Sequence, residues 1–252
     1  MSARVPTPNF SKQSGYPDAK HLPKPFKVRR YYTPEEVAQH CTGDDCWVSF
    51  FHGVYDLTKL LADNHATQSE LCAPIAKVAG TDITHWFDPL TQPTEQNPDQ
   101  LQPRRAIDPQ TNLYWWHCPL GRYLHIPPIC PDSKWDPDSF STPWWKDQSL
   151  KIGTLTQKTR KLRIINLYTK DDDVIDVCCE ETLNEILDRY IDLNEHAASY
   201  TWKRLGRPLD MDRNLKENDI PDETEEFVDL NIDEHYYIPA VHLYYNDDLT
   251  VA

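Results

Sequence analysis

Residues 44–65 read DDCWVSFFHGVYDLTKLLADNH, and this stretch decides the fold. Cys46 to Phe51 is an apolar, β-prone run. His52-Gly53 supplies turn chemistry, and Val54-Tyr55-Asp56-Leu57 forms a second short strand. Thr58 is placed to cap a short helix from Lys59 to Ala62 that ends near His65. Two strands, a glycine turn, a capped helix and then a histidine frame one side of a site for a buried flat ligand.

The flanking sequence extends this unit on both sides. Upstream, Thr33-Pro34-Glu35-Glu36 carries an N-cap, a proline at the first helical position and a capping-box glutamate, so a helix runs to about His40. Downstream comes Ala79-Gly80-Thr81-Asp82-Ile83-Thr84-His85-Trp86-Phe87, with a helix expected over Ile83–Phe87. Residues 89–112 form a long Pro/Gln/Asn/Asp connection, of a length that points to a function or to a partner. Gly121 to Pro127 is a candidate strand completing the first sheet. Residues 127–149, with Trp135, Trp144 and Trp145 among prolines, are too apolar for a free linker and are expected on a domain surface or a partner.

Composition narrows the function classes. The chain has 252 residues, 39% of them hydrophobic, with 21 prolines against 7 glycines. Two compact cores joined by proline-rich connections fit better than one large core. A net charge of −14 argues against nucleic acid, whose phosphates call for clustered Lys and Arg. That acidity serves solubility or a basic protein partner. No apolar run reaches the ~20 residues a membrane-spanning helix needs. The first residues lack the apolar segment of a secretory signal, and the last residues, YYNDDLTVA, lack an anchor, so no membrane insertion is expected. Seven cysteines without regular spacing read as reduced thiols of a cytoplasmic protein.

A second folded unit starts near Lys151. Lys161 to Tyr168 alternates as a strand and Val174 to Cys178 returns as its hairpin partner. Thr182 and Glu185 make a capping box. Leu183, Ile186, Leu187, Tyr190 and Ile191 then fall on one helical face. Tyr200 to Lys203 is a third strand, Leu215 to Ile220 a turn, and Ile238 to Tyr245 the last strand. Trp202 and Arg204 belong either to an exposed partner face or, for Trp202, to the core.

The opening stretch resembles the cytochrome b5 haem-binding fold, whose members read roughly DCWV…G.VYDVT.FL..HPGG. The resemblance rests on Asp45 to Val48, Gly53, Val54 to Thr58 and Leu61, and continues at Ala79, Gly80, Asp82, Thr84 and Phe87. It implies a haem held by two histidines. His65 lies one residue beyond the first ligand position, and Ala66-Thr67-Gln68 replaces the Pro-Gly-Gly. The second position falls near Gln92, where no histidine stands; His85, His117 and His125 are the alternatives. The departures favour a cytochrome b5-like fold kept as a binding module, with haem absent or weakly bound. Haem ligated by His65, with His125 as second ligand, in an electron-transfer or redox-sensing protein is the alternative.

Residues 159–246 resemble the ubiquitin-like β-grasp in order of elements and in the stretch from Trp202 to Ile220. The expected fold is therefore α+β: an extended arm over 1–28, a cytochrome b5-like domain over 29–128, a Pro/Trp-rich connector over 129–158, a ubiquitin-like domain over 159–246 and a tail over 247–252. A degenerate cytochrome b5 domain ahead of a ubiquitin-like one resembles a family associated with motile cilia. That resemblance implies a structural component of the cilium axoneme and cytoskeleton, with radial spoke proteins as partners. A ubiquitin-like adaptor in protein turnover is a further reading. No hydrolase elbow, phosphate loop or zinc helix is present, so an enzyme is not expected. His117, Cys118, His125 and Cys130 match no zinc spacing, and Asp171 to Asp173 lacks the rest of a calcium loop, so no metal beyond haem iron is expected.

Overall fold

The structure is a computed structural model that describes residues 28–94, 97, 100–107, 112–133, 135–233 and 236–245. The arm expected over 1–28, apart from Val28, and the tail over 247–252 lie outside the described residues.

The first body is built on a five-stranded sheet. Its strands are β1 (Tyr31–Tyr32), β2 (Cys41–Thr42), β3 (Asp45–Phe50), β4 (Gly53–Asp56) and a late arrival, Lys151–Leu155. The late strand pairs parallel with β1 and antiparallel with β4, between the two. Sequence reading leaves these residues at the end of the connector and gives the completing role to Gly121–Pro127. No strand forms there, and the sheet takes Lys151–Leu155 instead. Gly153 permits this, because a Cβ there would come 2.5 Å from the Tyr32 ring.

Strand β3 is buried on both faces. Cys46, Val48 and Phe50 enter the main core, while Trp47 enters a smaller cluster with Tyr32, Val37 and Val54. This alternation is the two-residue period of a strand with cover on each side. The β3–β4 turn is made by Phe51 and His52, at φ +45° and +61°, and not by His52-Gly53. Gly53 instead pairs with Phe50, and a Cβ on it would meet the Tyr55 ring at 2.6 Å.

Helix α1 (Pro34–Gln39) has the expected Thr33/Glu36 capping box. Helix α2 (Thr58–Lys77) is longer than the expected one. It is kinked at Gln68 (φ −137°, ψ 42°), close to where the sequence departs from Pro-Gly-Gly. Thr58 caps nothing there: its hydroxyl accepts from the Cys46 N–H at 3.0 Å and ties the helix start to β3. A short 3-10 turn, Thr84–Trp86, follows, and then a separate ribbon of β5 (Arg105–Ile107) and β6 (Tyr114–Trp116).

Numbering on, Lys151–Leu155 is β7, and the second body follows it directly. It has β8 (Thr159–Asn166), β9 (Asp172–Cys178), α3 (Leu183–Tyr190), β10 (Tyr200–Arg204), β11 (Arg207–Pro208), α4 (Thr224–Asp229) and β12 (Ala240–Tyr245). The sheet order is β11-β10-β12-β8-β9, with β12 parallel to β8 and the other pairs antiparallel. Leu183, Ile186 and Tyr190 of α3 are buried against the sheet, as their helical spacing requires. Trp202 is core, with its indole N–H donating to the Ala197 carbonyl at 3.3 Å. Both bodies are mixed α and β.

Arg189 of α3 joins the two bodies. Its guanidinium pairs with buried Glu181 at 2.7 Å and with Glu36 of α1 at 2.5 Å, and donates to the Tyr31 carbonyl at 3.1 Å. Arg29 also reaches Glu36, at 2.9 Å. A buried cation shared among acceptors from two bodies fixes their relative placement.

Candidate functional site

The Ala79–Phe87 stretch wraps the open side of β3. Gly80 donates to the Trp47 carbonyl at 2.7 Å, and Ile83 to the Ser49 carbonyl at 2.8 Å. The Gly80 φ of +78° belongs to the left-handed region that glycine tolerates. Asp82 accepts from the Ser49 hydroxyl at 3.1 Å, and the Thr84 hydroxyl accepts from the Phe51 N–H at 3.1 Å. These contacts explain why that stretch needs Gly, Asp and Thr: they dock a turn along a strand and bring Trp86 and Phe87 into the core.

Between β3, α2 and this turn lies the main buried core of the first body. It is filled by aromatic side chains. Trp144 sits edge-on to Phe50, Phe87 and Tyr123, each with ring centres 6.1 Å away. Tyr123 stacks on Trp86 at 4.7 Å. With Leu61, Cys72 and Ile75 of α2 they form one buried cluster, which also includes Leu124, Ile126 and Trp145. The segment expected on a surface thus supplies the centre of the core. Its tryptophans gave the signal, and only their destination was missed.

The two sequence-predicted ligands are not brought together. His65 is exposed on α2, beside a shallow groove lined by Gly43, Asp44, Leu61, Ser69 and Cys72. His125 is half-buried at φ +67°, stacked on Phe140 at 4.0 Å. Its Nδ1 accepts from the Trp144 N–H at 3.0 Å. Burial lowers its pKa to about 4, so the ring is neutral at physiological pH. A neutral imidazole has one lone-pair nitrogen, and here that nitrogen is committed to a backbone donor, leaving an N–H on Nε2. His125 in this state has nothing to offer iron. His85 is exposed and His117 half-buried, the latter in another groove.

Three buried donors in this core, Trp86 Nε1, Tyr123 Oη and Trp145 Nε1, lack a hydrogen-bond partner among the described residues. The two indole N–H groups have no lone pair to give to iron, and a neutral phenol is a poor ligand. Burial pushes the Tyr123 phenol well above its ordinary pKa, so it does not supply a phenolate either. Among the described residues no group of three or more His, Cys, Asp and Glu side chains is placed to hold a metal ion. The residues present do not fit a haem held between two imidazoles.

The family model of the cytochrome b5-like heme/steroid binding domain matches residues 33–108. A Xenopus laevis protein named cytochrome b5 domain-containing protein 1 is 49% identical over 221 residues, covering 88% of this chain and 96% of that one. The chain belongs to this family. The Homo sapiens member is 46% identical over 222 residues, covering 88% of this chain and 92% of its own. Cytochrome b5 of Sus scrofa is 33% identical over 69 residues, 27% of this chain and 48% of that one. The matched family model is that of a binding domain, not of a catalytic one. Among the described residues no helix is long and apolar enough to cross a membrane.

Proposed function

We propose that this chain is a non-catalytic docking component of the motile-cilium axoneme, associated with radial spokes and supporting ciliary beating. The setting comes from the family resemblance, and the mode of action from the molecule. The observation that supports it is the state of the two candidate ligands: His65 is exposed, and the lone pair of His125 is held by the backbone N–H of buried Trp144. A domain without two imidazoles free for iron has a rigid surface to offer in place of a redox centre. The second body we read as a ubiquitin-like β-grasp, on its strand order and on the hairpin-helix-strand sequence. Haem is then absent or weakly held.

Co-pelleting of the full-length chain with isolated motile axonemes tests this reading. Saturable co-pelleting is expected. A chain that stays in the supernatant, or that instead captures proteasome components, overturns it.

A further inference from the structure

Among the described residues the β5–β6 ribbon pairs with no other strand. Two-stranded ribbons are marginal by themselves, so this one depends on what packs against it. Its outer positions are apolar: Ile107 opposes Tyr114 in the register, and they are 51% and 72% exposed. Beside them, Trp115, Trp116, Ile126, Pro127 and Ile129 line a groove of about 430 Å³. Trp115 is 41% and Ile129 72% exposed. Apolar exposure that is contiguous, and not scattered, marks a contact surface.

The charge around this groove runs against the charge of the chain. Arg122 lines it, no acidic side chain among the described residues does, and Arg104 and Arg105 sit at the start of the ribbon. None of the ion pairs among the described residues includes these three arginines. Arg105 lies over the Trp116 ring at 4.8 Å, Arg122 lies over Trp135 at 5.9 Å, and the buried Nη1 of Arg122 has no acceptor. On a chain of net charge −14 this is a local reversal of sign. Tryptophan and arginine together are also the residue types that carry most of the energy at protein contacts.

We propose that this ribbon and groove bind an acidic peptide segment of a partner protein, its apolar side chains seated among the tryptophans and its carboxylates on the arginines. The inference rests on the docking role proposed for the chain and names the surface and the chemistry of what it receives.

The test uses the full-length chain and three synthetic peptides of equal tryptophan, leucine and proline content, carrying Asp and Glu, Lys and Arg, or Ser and Gln. The acidic peptide is expected to bind at least ~10-fold tighter than the basic one, equivalent to ~1.4 kcal/mol. The double variant Arg104→Glu, Arg105→Glu, both at exposed positions, is expected to reverse that order, and Trp115→Ala to weaken all three. Equal affinities, no binding at all, or self-association through this face in sedimentation velocity overturns the proposal. Axoneme co-pelleting of wild type separates the two claims. Co-pelleting without the acidic preference removes the surface assignment alone. The acidic preference without co-pelleting supports the surface and removes the axonemal role.

Discussion

The second body draws its sheet and its core from the continuous run 159–245, whereas the first borrows Tyr123, Trp144, Trp145 and strand β7 from sequence far beyond its own opening elements. The second core is mainly aliphatic around Trp202 and Tyr190, and the first is a stack of rings around Trp144. The difference teaches how a late segment of the same chain can complete an earlier core, anchored here by the histidine that the sequence offers as a second ligand. It also means that residues 29–128 by themselves lack the centre of their core.

The largest expected effect is on that borrowed centre. Trp144→Ala should destabilise the first body by about 3–5 kcal/mol, the usual cost of removing a buried tryptophan. Hydrogen exchange checks it: amides of β3 and β4 should lose protection while those of β8 and β12 keep theirs. Equal loss in both bodies would show that the two cores are not independent.

Next comes the joint. Arg189→Ala leaves Glu181 buried without its cation, so a loss of about 2–4 kcal/mol is expected. Urea unfolding followed by fluorescence should show the transitions of the two bodies moved further apart, because the Glu36 and Tyr31 contacts go with the guanidinium. An unchanged separation would place the coupling elsewhere.

His125→Ala should cost about 1–3 kcal/mol, the price of a Trp144 N–H left without its acceptor. The same residue makes stability depend on pH. Its folded pKa, about 4, lies below the unfolded value of ~6.5. Between these the unfolded chain binds the extra proton, so the contribution is complete above the upper value and is lost as pH falls toward 4. Urea midpoints at several pH values should fall across that window in wild type, and fall less in His125→Ala. The smallest effect is expected at a helix start: Thr182→Ala removes a capping box and should cost about 1 kcal/mol, read as a shift in the urea midpoint of the second body.

The frame was legible because it rests on local rules. The Thr33 and Thr182 caps, the β3–β4 hairpin and the α3 face follow from short spacing alone. The turn at Phe51-His52 was not legible, since two non-glycine residues at positive φ are unusual, and Gly53 misled by answering to the Tyr55 ring and not to a turn. The destination of Trp144 was hidden for a different reason. Sequence shows that a segment is apolar but not which distant core it enters. His65 and His125 were visible as candidates, but the lone pair that His125 gives to Trp144 is a tertiary fact.

The absence of two free imidazole ligands is tested most directly by titrating the full-length chain with haemin and recording the Soret and α/β bands. No sharp low-spin bis-imidazole spectrum and no difference between wild type and His65→Ala are expected. A low-spin spectrum at micromolar protein that disappears in His65→Ala or His125→Ala would contradict it.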